Sequence, residues 1–281
     1  MAAAWVLNLD ADVELAFGGG YVASERVVAM MAPHVERARG LLGDGDILVG
    51  PRAHARGQSA QSGSGAQLGG EPMVAGMVGR AWCPTPSAVA RLVAAGAVPE
   101  AHPAFEVLRW VNSRAFSASL GQTLPGAVFV TELDTAIAAI GPNTRLKRNY
   151  GMAGRGQRVV DRVDDATLGY LRAGMLEGGV QIEPNLRIEA EYARHGFLSP
   201  EGELTVGRLV RQRCDAHGQW LSSELSEGPG IELEPVARAL HRAGYFGPFG
   251  VDAFVYEGGY QPRSEINARY SMGYAIGLMS S

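Results

Sequence analysis

Only two cysteines occur in the 281 residues, Cys83 and Cys214, and they form no C-x-x-C pair. That excludes a disulfide framework and gives no zinc signature. Free thiols in a reducing cytoplasm are the expectation. Charge is sparse too: 19% of residues are charged, the net charge is -4 and there is no basic run, which argues against a general nucleic-acid binder. No apolar stretch approaches the ~20 residues of a membrane span. The first twenty residues lack a basic region, and Asp10, Asp12 and Glu14 interrupt their apolar run, so no signal peptide is expected. What the chain does have is glycine, 38 residues of it, and an ordinary hydrophobic content of 46%. The length suits one large or two small soluble domains with many tight turns.

In order, residues 5–9 read as a buried strand running into a loop at Asp10 and Asp12. Residues 24–42 have helical spacing with Ser24 as N-cap, and 46–49 form a second strand. Residues 52–72 are Gly/Ser/Gln-rich and read as a flexible loop. A third strand falls within 73–81. Thr85-Pro86 starts a helix over 87–95, and 105–120 reads as one further helix. From Gly126 come a strand at 127–130, a helix at 132–140, a hairpin at 145–160 with a glycine-rich tip, a helix at 166–175 and a strand at 180–184. An antiparallel meander over 188–221 and a helix at 233–243 follow.

The most informative stretch is 244–273. Residues 249–256 and 261–270 alternate, with Glu257-Gly258-Gly259-Tyr260 as the turn. A midpoint between Gly258 and Gly259 sets Asp252 opposite Glu265. Asp252, Phe254, Arg263, Glu265, Asn267 and Arg269 then share one face, and Val251, Ala253, Val255, Ile266 and Ala268 share the core face. Opposed carboxylates at ~4 Å and an effective dielectric of ~20 repel by roughly 4 kcal/mol. A flanking arginine or a shared divalent cation offsets that. Asp252, Glu265 and the Asn267 amide are an all-oxygen donor set suited to Mg²⁺ or Mn²⁺ on a nucleotide. The plainer reading is an edge hairpin with a solvated polar face.

A GVD strand, a hairpin and then E-I-N-A-R resembles the metal-binding end of the ATP-grasp superfamily, carboxylate–amine ligase type. The resemblance implies that Asp252, Glu265 and Asn267 hold Mg²⁺ on ATP and that Arg269 meets phosphate or acyl-phosphate. Lys147, followed by Gly151, Gly154 and Gly156, is similar to the family's phosphate-covering flap. Glu183-Pro184-Asn185-Leu186 is similar to its adenine hinge, with Glu183 as the hinge acid and Leu186 beside it. Glu191 is a second ribose candidate, or a strand-end acid in water. Arg114 stands where many relatives carry a phosphate-binding lysine, or is a surface arginine. The order of these pieces along the chain carries the resemblance.

The resemblance implies α/β and α+β architecture. A small open α/β pre-grasp domain (1–104) would precede an ATP-grasp domain (105–281), whose two α+β subdomains, about 126–182 and 183–281, clasp ATP. It implies a cytoplasmic ligase that binds ATP and magnesium and forms an amide bond through an acyl-phosphate, releasing ADP and phosphate. Its substrates would be a small-molecule carboxylate and an amine, amino acids or peptides among the candidates, with no nucleic-acid or membrane partner and a homodimer by analogy. Lys147 and Arg269 would stabilise charge in the reaction. His195 and His241 are candidates for a general base. The alternatives are a non-catalytic ATP-binding or assembly protein of the same fold, and an ATP-grasp phosphotransferase.

Overall fold

A computed structural model describes residues 1–50, 74–122, 124–151, 156–215 and 220–279. The loop at 52–72 and the flap residue Gly154 lie outside them. Strand β1 (Ala3–Val6) is followed by α1 (Ala11–Phe17), α2 (Glu25–Ala38), β2 (Ile47–Leu48), β3 (Val78–Ala81), α3 (Pro86–Ala94) and β4 (Val98–Pro99). The four strands pair in parallel in the order β2-β1-β3-β4. Helix α1 was expected to be loop. Its first turn carries Asp12 and Glu14, which favours a helix N-terminus, and Gly18 closes it. At α3, Thr85 occupies the N-cap position, but its side chain caps nothing. Glu14 caps the helix instead, accepting from the Ser87 N–H at 2.9 Å and the Ser87 hydroxyl at 2.5 Å.

The expected helix over 105–120 is two helices, α4 (Phe105–Val111) and α5 (Arg114–Ser119). Ser113 explains the break. Its hydroxyl oxygen accepts from the Phe116 N–H at 3.0 Å, so it starts a new helix rather than continuing the old one. Next come β5 (Val128–Val130), α6 (Leu133–Ala138), β6 (Thr144–Arg148), β7 (Gln157–Val160), α7 (Asp165–Leu176) and β8 (Val180–Pro184), with sheet order β5-β8-β6-β7. Leu146, Leu171, Val180 and Ile182 fill the core of this unit.

The third sheet holds β9 (Ile188–Leu198), β10 (Leu204–Cys214), β11 (Trp220–Leu225), β12 (Gly247–Tyr256) and β13 (Gly259–Asn267), with α8 (Glu234–Arg242) between β11 and β12. All pairings are antiparallel, in the order β11-β10-β9-β12-β13. Val251, Ala253, Ile266 and Ala268 face the main core, as the alternation predicts. After β13 the chain folds back over the sheet and ends in a short helical turn, Ala275–Met279. Among the described residues no helix is long and apolar enough to cross a membrane.

His195 lies under that returning segment. It is fully buried, and neither ring nitrogen has a hydrogen-bond partner among the described residues. A Cβ on Gly273 would come within 2.8 Å of its ring, so only glycine fits there. Burial pushes the imidazole down to about 4 from an ordinary 6.5. The folded state therefore keeps His195 neutral while the unfolded chain takes up a proton below about 6.5. Stability should be complete above that pH and fall by about 3 kcal/mol as pH drops to 4. Urea unfolding at pH 7 and pH 4 measures it, and His195→Leu should flatten that part of the profile. An unchanged pH dependence in the variant would refute the assignment.

Candidate active site

The hairpin β12–β13 positions the site. Asp252 pairs directly with Glu265, and Gly250 with Asn267. The route to that register differs from the expected one. Tyr256 pairs with Gly259, so the turn is the two residues Glu257-Gly258, not four. Gly258 sits at φ 88°, where a side chain is strained. Alone, this turn would shift the register by two. A bulge restores it, because Pro262, Arg263 and Ser264 together oppose Ala253. Pro262 thus sits where no ladder N–H is needed. The bulge also swings Arg263 off the carboxylate face. Its guanidinium donates to the carbonyls of Ser117 (3.3 Å) and Gly121.

On the polar face, Asp252 Oδ1 accepts from Gln212 Nε2 at 3.0 Å, and Oδ2 from Asn267 Nδ2 at 2.9 Å. Asn267 Oδ1 accepts from Arg269 Nη1 at 2.6 Å. Arg269 Nη2 reaches across to Asp12 Oδ2 of α1 at 2.7 Å. Burial alone would lower the Arg269 pKa, but the Asp12 carboxylate outweighs it and holds the guanidinium charged. Glu265 Oε1 meets Arg114 Nη2 at 3.3 Å. Arg114 is 6% exposed and also donates from Nε to the Arg148 carbonyl at 3.1 Å. It is therefore a buried cleft arginine and not a surface one.

Burial first, then the Glu265 charge, push Asp252 up to about 7. Glu265 has Arg114 beside it, while Asp252 has no cation at ion-pair distance among the described residues. Two carboxylates and an amide in adjacent register, sharing one open face, fit a hard divalent cation. Among the described residues no cluster of three His, Cys, Asp or Glu side chains stands ready for a metal. Asn267 has to complete the set.

Lys147, the only lysine in the chain, projects from β6. Its Nζ lies 2.5 Å from Glu183 Oε1 of β8, and Gln181 Nε2 donates to Glu183 Oε2 at 2.5 Å. Burial pulls the ammonium pKa down and Glu183 opposes that pull. A cation so rare in the sequence, placed on a strand before a glycine loop, was a stronger signal than the glycines.

One cavity of about 1120 Å³ collects the site. It is lined by Arg114, Lys147, Gly151, Glu183, Leu186, Glu191, Asp252, Glu265, Asn267 and Arg269. Gly156 is not on its wall. At φ 76° it closes the β6–β7 hairpin, its carbonyl accepting from the Arg148 N–H at 2.9 Å. His195 and His241 do not line the cavity either. His195 is sealed under the C-terminal segment, and His241 sits on α8 with Nε2 3.2 Å from the Pro200 carbonyl. Asp12 and Gln212 were missed as site residues. Asp12 had a usable signal, an acid just past the carboxyl end of a parallel strand. Gln212 is placed only by the meander's pairing, which no local pattern reveals.

No family model matches the chain, and no curated protein matches it in sequence. Solved structures do. The biotin carboxylase–β,γ-ATP complex from Campylobacter jejuni superposes with a TM-score of 0.56 at 12% identity, covering 100% of this chain and 68% of that one. D-alanyl-alanine synthetase A from Vibrio cholerae gives 0.53 at 14% identity, covering 95% and 88%. The biotin carboxylase domain of 2-oxoglutarate carboxylase from Hydrogenobacter thermophilus, a complex with MgADP, ADP and bicarbonate, gives 0.51 at 15% identity, covering 67% and 46%. The chain thus spans about half the length of that last domain. At such identities what is shared is the fold. With a small parallel α/β sheet leading into two α+β units that enclose one polar cleft, this chain has the ATP-grasp fold.

Proposed function

We propose that the protein is an ATP-dependent carboxylate–amine ligase that requires Mg²⁺ or Mn²⁺ and releases ADP and phosphate through an acyl-phosphate. The observation that carries this reading is the convergence of Asp252, Glu265, Asn267, Arg269 and Lys147 on one cleft. The solved structures with ATP-type ligands or MgADP add fold-level support. A divalent cation held by Asp252, Glu265 and Asn267 would neutralise charge growing on phosphate oxygens. Lys147 supplies a buried ammonium for phosphate oxygens. Glu183 at the end of β8 and Leu186 in the β8–β9 connection offer the hinge to the base, with Glu191 facing the same cavity. Arg269 presents a permanently charged guanidinium where the substrate carboxylate meets the transferred phosphoryl group.

The test is titration of ATP into the protein with and without Mg²⁺, repeated on Asp252→Asn. Binding should need the cation and weaken at least tenfold in the variant. ADP release that depends on both a carboxylate and an added amine then identifies a ligase. Release without an amine acceptor identifies the phosphotransferase alternative. The Arg114–Glu265 contact, which already gives Glu265 a positive neighbour, favours one other reading: a non-catalytic ATP-binding protein. Cation-independent ATP binding without turnover would decide for it. No ATP binding at all would overturn every version.

A further inference from the structure

A second cavity, of about 450 Å³, lies on the other side of the segment that carries Arg269. Its volume falls in the ~300–1,000 Å³ range of small-ligand pockets. The floor is aromatic: Trp5, Tyr245, Tyr270 and Tyr274 are each less than a tenth exposed. Trp5 and Tyr270 meet edge-on at 5.1 Å between centroids, and Tyr270 and Tyr274 at 4.9 Å. The indole N–H of Trp5 is spent on Asp46 at 2.7 Å and the Tyr245 hydroxyl on the Pro248 carbonyl, so both present hydrocarbon to the cavity. Arg269 borders the cavity from inside with both Nη groups spent on Asn267 and Asp12, and an ion pair stands at the mouth. Arg80 Nε and Glu100 Oε2 are 3.1 Å apart and each side chain is 41% exposed. The guanidinium lies 5.8 Å from the Trp5 ring centroid. Neither Arg80 Nη group has a hydrogen-bond partner among the described residues.

We infer that this cavity is a binding site for an α-amino acid with a large apolar side chain. The apolar body fills the aromatic floor. The head group meets a cation and an anion already set side by side, its carboxylate on Arg80 and its ammonium on Glu100. An ion pair this exposed contributes little to stability, so opening it costs little, and a zwitterion leaves neither charge alone. A ligand with one charge would strand the other. The site is separate from the nucleotide cleft and does not rest on the ligase reading. The two cavities share a wall, though: Tyr270 and Tyr274 face this one, Ser271 and Gly273 face the cleft, and Arg269 borders both.

Calorimetric titration of L-phenylalanine into the full chain tests this, alone and with MgATP present. Saturable one-site binding that persists with MgATP is expected. It should weaken at least tenfold in Arg80→Met and in Glu100→Gln, and phenethylamine and 3-phenylpropionate should each bind worse than phenylalanine. Ala101→Trp adds bulk at an exposed mouth residue, where the fold is not at risk, and should block binding. Three results would overturn the inference: no phenylalanine binding, binding displaced by MgATP, or binding indifferent to Arg80→Met and Ala101→Trp. If ATP itself fails to bind, the ligase reading falls and the phenylalanine arm still gives its answer.

Discussion

Glu265→Gln is expected to lower ATP turnover by roughly 10²–10³-fold, the usual effect of removing one preorganised electrostatic group from a transition state. Stability should move the other way or not at all. Glu265 opposes Asp252 in the ladder, and its charge helps push Asp252 up to about 7. Removing that charge relieves a repulsion that was stabilising nothing in the cation-free protein. The amide oxygen introduced by the substitution could still accept from Arg114, so the buried guanidinium would keep a partner. ADP-release kinetics and urea unfolding on the same samples separate the two effects. A variant that is inactive and also badly destabilised would make Glu265 a structural residue. One with full turnover would remove it from the metal set.

Lys147→Met should destabilise the protein by about 3–5 kcal/mol, because it leaves the Glu183 carboxylate buried without its cation. Glu183 is 4% exposed and Lys147 8%, so water rescues neither. The pair itself contributes much less than that figure, since burying both charges cost desolvation in the first place. The double variant Lys147→Met/Glu183→Gln should therefore recover most of the loss, with the new amide oxygen still able to accept from Gln181. Denaturant midpoints of the two single variants and the double variant give the coupling directly. Nucleotide binding should stay weak in the double variant, which distinguishes restored folding from restored function. Equal losses in Lys147→Met and the double variant would refute a buried, coupled pair.

The hairpin shows how far local sequence reasoning reaches. Alternation placed Val251, Ala253 and Ile266 inward and the carboxylates outward, because a pleat has period two and one face must be buried. The Asp252–Glu265 pairing was legible as well, but through two errors that cancelled: a turn two residues shorter than expected and a bulge at Pro262–Ser264. A bulge is set by what the strand must pack against, and no pattern within the strand reports that. The broken helix at Ser113 was readable from its capping chemistry and was overridden by apolar spacing. Long-range partners were not legible. Nothing near Asp12 points to Arg269, and nothing near Gln212 points to Asp252. Arg114 reads as a surface residue by composition. It is buried because Glu265 and the Arg148 carbonyl lie within its reach.

The contact between Asp12 and Arg269 closes a loop of 257 residues. Contacts of such separation form late and slowly, since the chain entropy they cost must be met before they reward it. On the ribosome the parallel sheet can gather as soon as β4 has emerged, yet the acid of α1 then waits through the synthesis of both later sheets for its arginine. Until residue 269 has been made, the Asp12 carboxylate lacks its arginine and half a cleft stands open. An unfinished chain that leaves such surfaces uncovered is exposed to aggregation for as long as that interval lasts.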